Sequence, residues 1–388
     1  MFINRLLVER VRNLDSVSLN DFALLNVFIG PNGAGKTSLL EALAIVSLGR
    51  SFRSTKIQPV IQRDQPSLRV FVECVSDNGQ KHRLGIERDR QNSYRVRIDG
   101  AASDSLARLS SCLPVLVLDA SAFDLLDGPP AQRCRFIDWG VFHVEHRFYQ
   151  CWRDYRRILK QRNSLLRQKV GDYAFYEPWD KELCRLAVEI EHYRLHFLLE
   201  YQPVLNLVIA ELDSDLSEQC IHYRNGWQKD KIAFDELEQA LQSLPDVDKL
   251  HDLLKSSFDR DCKYQRTHLG PQRADMQIRT YKQDVRDVYS RGQKKTLVAA
   301  MKLSQAKLLN EIRDKRPVLL LDDLPAELDD AHLQRFIAFV SKERLQCFIS
   351  SIDDRLGIDE NQENSRMFHV EHGRIRPVDG NMLATGET

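Results

Sequence analysis

No two cysteines of this 388-residue chain stand in a C-x-x-C arrangement, although there are eight, at 74, 112, 134, 151, 184, 220, 262 and 347. Thiols scattered in this way fit neither a disulfide frame nor a zinc ribbon and read as the reduced cysteines of an intracellular protein. Net charge is also missing. Lys plus Arg and Asp plus Glu each number 56, so any attraction to nucleic acid or to a membrane surface has to come from local patches. Long apolar runs are absent as well: no window approaches the ~18 consecutive apolar residues of a membrane span. The leading segment MFINRLLVERVRN interrupts its apolar residues with Arg5, Glu9 and Arg10, unlike a signal peptide. A cytoplasmic protein without a membrane partner is expected, long enough for two or three folding units.

What is present falls into three stretches. Up to about residue 120 the chain reads as mixed α/β: LLVERVRNL, SLRVFVECVS, KHRLGIERD and YRVRID alternate as strands, LLNVFIG is a buried-strand run, and KTSLLEALAIVSLG is a helix ended by Gly49. Over 121–263 apolar residues recur at helical spacing, with Pro178, Pro203 and Pro245 expected to break the run into several helices. From 264 to 376 the α/β character resumes, with TLVAAMKLSQAKLLNEIRD and AHLQRFIAFVSKE as helices and QCFISS as a strand. The last residues, 377–388, read as a disordered tail. The organisation predicted is one discontinuous nucleotide-binding domain, 1–120 with 264–376, interrupted by a helical insert. FHVEH occurs at 142–146 and again at 368–372 with unmatched flanks, so no internal repeat is expected. His143 and His146 lack a third ligand of suitable spacing and read as histidines near element ends.

Chemistry concentrates in three places. GPNGAGKT at 30–37 fits G-x-x-x-x-G-K-[ST], after an apolar strand and at the head of a helix. There Gly30, Gly33 and Gly35, with Pro31, Asn32 and Ala34 between them, let backbone amides face phosphate oxygens. Lys36 is placed to reach the β- and γ-phosphates of ATP and Thr37 to ligate Mg²⁺. VLLLDD at 318–323 delivers two carboxylates at the end of a buried strand, where open α/β sheets bind ligands. Asp322 suits the Mg²⁺ shell and Asp323 a catalytic base or water-orienting role. The third place, VYSRGQKKTL at 288–297, is by itself a basic loop of uncertain use.

A phosphate loop, then Ser-x-Gly-Gln before a helix, then an aspartate strand and a short Asp-bearing loop resemble, in that order, the ABC class of ATPases. Ser290, Gly292 and Gln293 fit the signature, and DDLPAELD resembles the run from the metal aspartate to the loop ending in Asp329. ABC transporter subunits carry a His after the next strand and a smaller insert, and this chain departs on both counts. The nearer resemblance is to the RecF family of bacterial recombination proteins. VRNLDSVSL, GPNGAGKTSLLEAL, LGRSFRS, RFIDWGVFHVE, LKQRNSLLRQ, THLGPQRADM, SRGQKKTL, LLLDDLPAELD and FHVEHGRI carry it, in order, from residue 3 to about 376. The resemblance implies a P-loop, ABC/SMC-type ATPase head with a helical insert, and an ATP-dependent homodimer that binds DNA at single-stranded gaps and gap junctions. It also implies RecO and RecR as partners in loading RecA during replication, recombinational repair and the SOS response. In such a dimer Ser290, Gly292, Gln293 and Asp329 of one copy meet the ATP held by the phosphate loop of the other.

Two basic segments are candidate DNA contacts. RFYQCWRDYRRILKQRNSLLRQK at 147–169 holds Arg147, Arg153, Arg156, Arg157, Lys160, Arg162, Arg167 and Lys169 against Asp154 alone, with Trp152 and Tyr155 interleaved, a pattern that tracks phosphates and stacks bases, and Arg153, Arg156, Arg157 and Lys160 are its foremost candidates. GRSFRSTK adds Arg50, Arg53 and Lys56 just past the phosphate-loop helix. Because Asp323 stands where transporters use Glu, the reach to water is one methylene shorter and hydrolysis is expected to be slow. Two other classes compete: the ATPase head of a DNA-cleaving system, which needs a separate acidic metal cluster, and a transporter's ATPase subunit, which needs a membrane partner.

Overall fold

The computed structural model describes residues 1–216, 219–228, 230–244, 246–280, 283–352 and 364–378. Two compact units divide the chain, the first comprising 1–123, 211–213 and 295–388 and the second 124–210 and 214–294. The first opens with β1 (Phe2–Val11), β2 (Leu14–Asn20), β3 (Leu25–Ile29), α1 (Lys36–Leu48), β4 (Ser67–Val75), β5 (Lys81–Asp89), β6 (Tyr94–Ile98), β7 (Ala101–Ser103), α2 (Leu106–Cys112) and β8 (Val115–Leu118). There follow α3 (Pro130–Val144), α4 (Phe148–Arg167), α5 (Glu177–Leu212), β9 (Gln219–Arg224), β10 (Ile232–Ala233), α6 (Leu237–Gln242), α7 (Val247–Ser256), α8 (Phe258–Tyr264), β11 (Asp275–Thr280), β12 (Gln283–Asp284) and α9 (Val285–Val288). The chain closes with α10 (Arg291–Arg313), β13 (Val318–Asp322), α11 (Leu324–Glu327), α12 (Asp330–Lys342), β14 (Cys347–Ser351), β15 (Ser365–Glu371) and β16 (Arg374–Pro377).

Among the described residues the first unit holds two six-stranded sheets, ordered β2-β1-β4-β5-β6-β7 and β16-β15-β3-β14-β13-β8. The former is antiparallel, and its strands alternate because one face is covered: Leu68, Val70, Val72 and Cys74 of β4 are buried. In the latter, β15, β3, β14, β13 and β8 run parallel. Their apolar runs do not alternate: Val318–Leu321 of β13 and Cys347–Ser351 of β14 are buried throughout, as strands covered on both faces must be. Helix α1 touches both sheets. Every residue from Leu39 to Ser47 is buried, so it needs no polar face. Gly49 closes it in the left-handed conformation (φ 67). Parallel pairing brings the ends of β3, β14 and β13 to one edge, with Ser351 beside Ile29 and Asp322 beside Ser350.

The second unit corrects two expectations. Its boundary lies at 294 rather than 263, because β11 pairs with β9 (Asp275 with Arg224 through Thr280 with Gln219) and so belongs to a sheet of this unit. The insert is therefore not purely helical: β10, β9, β11 and β12 form a four-stranded sheet among the described residues. The sign was the period-two burial of Gln219, Ile221 and Tyr223, too short to stand out between long helices. Pro203 does not break α5 either. Tyr201, Gln202, Val204 and Leu205 around it are buried, and their packing offsets the ~3 kcal/mol a mid-helix proline costs. Pro178 sits in the first turn of α5, where its missing amide is harmless, and Pro245 lies outside the described residues. Of the expected tail, Pro377 pairs with Phe368 and so ends β16, whereas 379–388 lie outside the described residues.

Packing in the second unit includes buried charge. Fully buried Glu191 accepts from Tyr223 Oη at 3.0 Å, and its other oxygen meets no donor among the described residues. Burial, opposed by Arg194, pushes its pKa from 4.5 to about 7. A carboxyl that keeps its proton in the fold but loses it on unfolding makes stability greatest below about pH 4.5 and lower as pH climbs to about 7. Glu191→Gln is accordingly expected to be more stable than the parent at pH 8 by roughly 3 kcal/mol, with the two alike at pH 4. Urea denaturation at both pH values checks this, and an equal offset at both would contradict it.

Candidate nucleotide site

The chain leaves buried β3 at Gly30 and re-enters regular structure at Lys36. Three glycines shape the loop for different reasons. A Cβ on Gly30 would lie 2.1 Å from the Val370 carbonyl oxygen of β15, so packing demands glycine there. Gly33 (φ 79) and Gly35 (φ 124) take backbone conformations that side chains disfavour. Pro31, Asn32 and Gly33 face solvent, while Ala34 and Gly35 are buried. Lys36 Nζ donates to the carbonyls of Gly30 (2.5 Å) and Pro31 (3.0 Å), arching across its own loop. Burial lowers its pKa, and the nearby Asp323 and Asp322 pull it back up.

One carboxylate oxygen organises the other side. Asp322 Oδ1 accepts from Thr37 Oγ1 and from Ser350 Oγ, both at 2.8 Å, which ties the ends of β13 and β14 to the start of α1. The same Ser350 hydroxyl accepts the Asp323 amide at 2.9 Å. Asp323 occupies the left-handed region (φ 57, ψ 36), a costly conformation for a residue with a Cβ, and this turns the chain sharply off β13. Asp119, directly after β8, has its pKa raised by burial, and the charge of Asp322 adds to the rise.

Residues outside the motifs brace the loop. Asn13 Nδ2 donates to the Gly33 carbonyl (3.1 Å) while its Oδ1 accepts from Ser38 Oγ (2.8 Å). The Gly373 amide, in the turn between β15 and β16, donates to the Ala34 carbonyl (2.8 Å). Arg12 pairs with Glu41 through two bonds (2.9 and 3.0 Å), and Glu41 accepts from Ser51 Oγ (2.5 Å). Ser51 in turn accepts the amides of Arg53 and Ser54, fixing the start of the segment that carries Arg50, Arg53 and Lys56. Sequence reading passed over Asp119, Asn13, Glu41 and Ser350. Asp119 alone left a clear sign, since VLVLD at 115–119 mirrors VLLLD at 318–322.

The remaining candidates have partners of their own. Ser290 and Gln293 cap α10 reciprocally: Gln293 Oε1 accepts the Ser290 amide (2.9 Å) and Ser290 Oγ accepts the Gln293 amide (3.3 Å). Ser290 and Gly292 are exposed, and α10 starts at Arg291, ahead of the helix TLVAAMKLSQAKLLNEIRD read from the sequence. Lys294 pairs with Asp127 (3.0 Å) and Lys295 with Glu327 (2.7 Å), so neither is a free cation. Asp329 caps α12. On α4, Arg153, Arg156, Arg157 and Lys160 are exposed on one side, but the aromatics are not open to bases: Tyr155 is fully buried and Trp152 stacks on it at 5.6 Å. Arg162 is no phosphate contact at all. Fully buried, it pairs with Asp180 (2.6 Å) and Asp261 (2.7 Å).

Packing at Gly30 and backbone conformation at Gly33 separate on substitution. Gly30→Ala is expected to cost about 1–3 kcal/mol, because the Val370 backbone has to move, whereas Gly33→Ala meets nothing within 4 Å and bears only the ~1 kcal/mol of its positive φ. Urea midpoints rank the two, and the reverse order would refute the contact.

A glycine loop headed by lysine and threonine beside two strand-end aspartates admits many protein families, and comparison narrows them. The family model described as RecF/RecN/SMC N terminal domain matches residues 2–376. The DNA replication and repair protein RecF of Pseudomonas putida (strain GB-1) is 38% identical over 97% of this chain and 98% of its own. The RecF protein of Pseudomonas paraeruginosa is 39% identical over 97% of each. Among solved structures, the recombination mediator protein RecF of the RecFOR pathway, in its RecF-ATP form, superposes with a TM-score of 0.83 at 24% identity, covering 97% of this chain and 98% of that one. An Smc head bound to the C-winged helix domain of ScpA reaches 0.56 at 13%, covering 97% of both. With a family model spanning nearly all of it and relatives matched end to end, the chain belongs to the RecF family, within the RecF/RecN/SMC group.

Proposed function

We propose that the chain is an ATP-dependent DNA-binding protein of DNA replication and recombinational gap repair, in which ATP closes a twofold dimer on DNA and slow hydrolysis reopens it. The observation that carries this reading is the convergence of Lys36, Thr37, Asp322 and Ser350 where three parallel strands end. A cation, a hydroxyl and a carboxylate at the mouth of a glycine loop are what binding and cleaving a nucleoside triphosphate require. The names of the relatives agree: DNA replication and repair protein RecF, and RecF-ATP in the RecFOR pathway. The reading makes the protein cytoplasmic, with single-stranded DNA and gap junctions as ligands and RecO and RecR as partners in loading RecA.

In this mechanism the amides of residues 32–35 surround the β- and γ-phosphates, and Lys36 exchanges its two carbonyls for phosphate oxygens. Thr37 Oγ1 and Asp322 Oδ1, 2.8 Å apart, are hard oxygen donors that suit Mg²⁺, which when bound supplies charge neutralisation between the phosphates. Asp323, its amide pinned by Ser350, orients the attacking water and takes its proton. Ser290 and the Gly292 amide of a second copy cap the γ-phosphate, aided by the positive end of α10, with Gln293 and Asp329 in the same seam. ATP then joins two copies symmetrically.

Sizing with and without ATP and Mg²⁺, with phosphate release followed on the same samples, tests the clamp. Wild type is expected to become dimeric and to turn over below about 1 per second; Lys36→Arg and Ser290→Arg are expected to stay monomeric. A wild type that remains monomeric at saturating ATP would refute the mechanism.

For DNA, the exposed side of α4 supports phosphate contacts by Arg153, Arg156, Arg157 and Lys160, with Arg50 and Arg53 a second candidate group. Asp154 partly offsets it, lying 4.0 Å from Arg153 and 3.8 Å from Arg157. Reversing Arg156 and Arg157 to Glu is expected to weaken binding evenly across sequences and to lower the salt slope by about 2. An unchanged slope would remove α4 from the interface.

A further inference from the structure

The residue that caps α12 is held by a histidine. Asp329 Oδ1 accepts the His332 amide at 3.0 Å, and its other oxygen meets His332 Nδ1 at 2.7 Å. On the far side of the ring, His332 Nε2 meets Asp213 Oδ2 at 3.1 Å. Asp213 directly follows α5, and the same end of that helix is fastened to α12 twice more. Arg335 donates to the Leu212 carbonyl (2.9 Å) and Lys342 pairs with Glu211 (2.6 Å).

An imidazole with a carboxylate at each nitrogen satisfies both only as imidazolium, when both nitrogens donate. The neutral ring keeps one bond and turns a lone pair toward the other carboxylate. Burial works against the charge, but the hydrogen bonds to Asp329 and Asp213 outweigh it and raise the His332 pKa above 6.5. The charged groups facing the ring are these two carboxylates, with Arg335 farther along α12 and engaged by the Leu212 carbonyl. The stabilisation is therefore complete below about pH 6.5 and lost as pH rises through the raised value. Exposure divides in the sense a seam requires: the Asp329 side chain is 65% exposed, those of His332 and Asp213 only 21% and 11%.

We propose that His332 is a positioning residue of the dimer seam: bridging Asp329 and Asp213, it holds the loop that ends in Asp329 in the orientation closure on a second copy requires, and makes that closure sensitive to the end of α5. The inference rests on the trans role of Asp329 proposed above.

The test is ATP-driven dimerisation of the full chain, sized from pH 5.5 to 9, with ATP binding to the monomer measured alongside using a fluorescent ATP analogue. Wild type is expected to dimerise more weakly, on the order of tenfold, as pH rises through the His332 transition. His332→Arg, which keeps two donors at every pH, should dimerise without that step, and His332→Ala should be weak throughout. Asp213→Asn leaves the α12 cap in place and should move the step toward lower pH, which a purely structural cap would not do. Wild type and His332→Ala with the same profile, or Asp213→Asn with an unmoved step, would overturn the inference. If wild type binds the analogue but dimerises at no pH, the trans reading itself fails and takes this inference with it.

Discussion

Asp322 Oδ1 takes hydroxyl hydrogens from both Thr37 and Ser350, and much of the site depends on that shared acceptor. It joins the first turn of α1 to the ends of two parallel strands, elements far apart in the chain. Because Ser350 also accepts the Asp323 amide, one hydroxyl fixes both the carboxylate suited to a metal and the turn that aims the next one. The hydrogen bonds are available only because β13 and β14 are paired in register, Asp322 beside Ser350. That pairing in turn rests on strands buried on both faces and on a helix buried all round.

Charge is handled differently in the two units. In the first, polar groups gather at the edge where strands end, and burial there depresses Lys36 while raising Asp119. In the second, charge is sunk into the packing itself: Arg162 with Asp180 and Asp261, Arg133 with Asp275 (2.8 Å), and Arg194 with Asp138 (2.8 Å). Such pairs contribute little net stability against apolar packing, but removing one partner strands the other. They therefore fix which elements meet: α4 with α5 and α8, α5 with α3, and α3 with β11.

The shape of the loop at 30–36 was legible because its residue types answer a local need: glycine where φ is positive or a backbone passes close, lysine and threonine at the head of a helix. Asp322 and Asp323 were legible because an apolar run ending in carboxylates marks a strand end. The sheet of the second unit was not, since β9 is short and its partner β11 lies some fifty residues on, beyond any local period. Arg162 misled for the same reason: a helix-surface pattern shows which residues share a face, but not that Asp180 and Asp261 wait beneath one of them.

The order of motifs, the glycines and the buried strands were determined by the sequence alone, because each reflects backbone conformation or burial written within a few neighbouring residues. The shared acceptor at Asp322, the brace from Asn13 and the Gly373 turn, and the grip of His332 on Asp329 and Asp213 were decided only in the tertiary structure. Each needs atoms from segments that sequence distance keeps apart, and only packing sets them within hydrogen-bond reach.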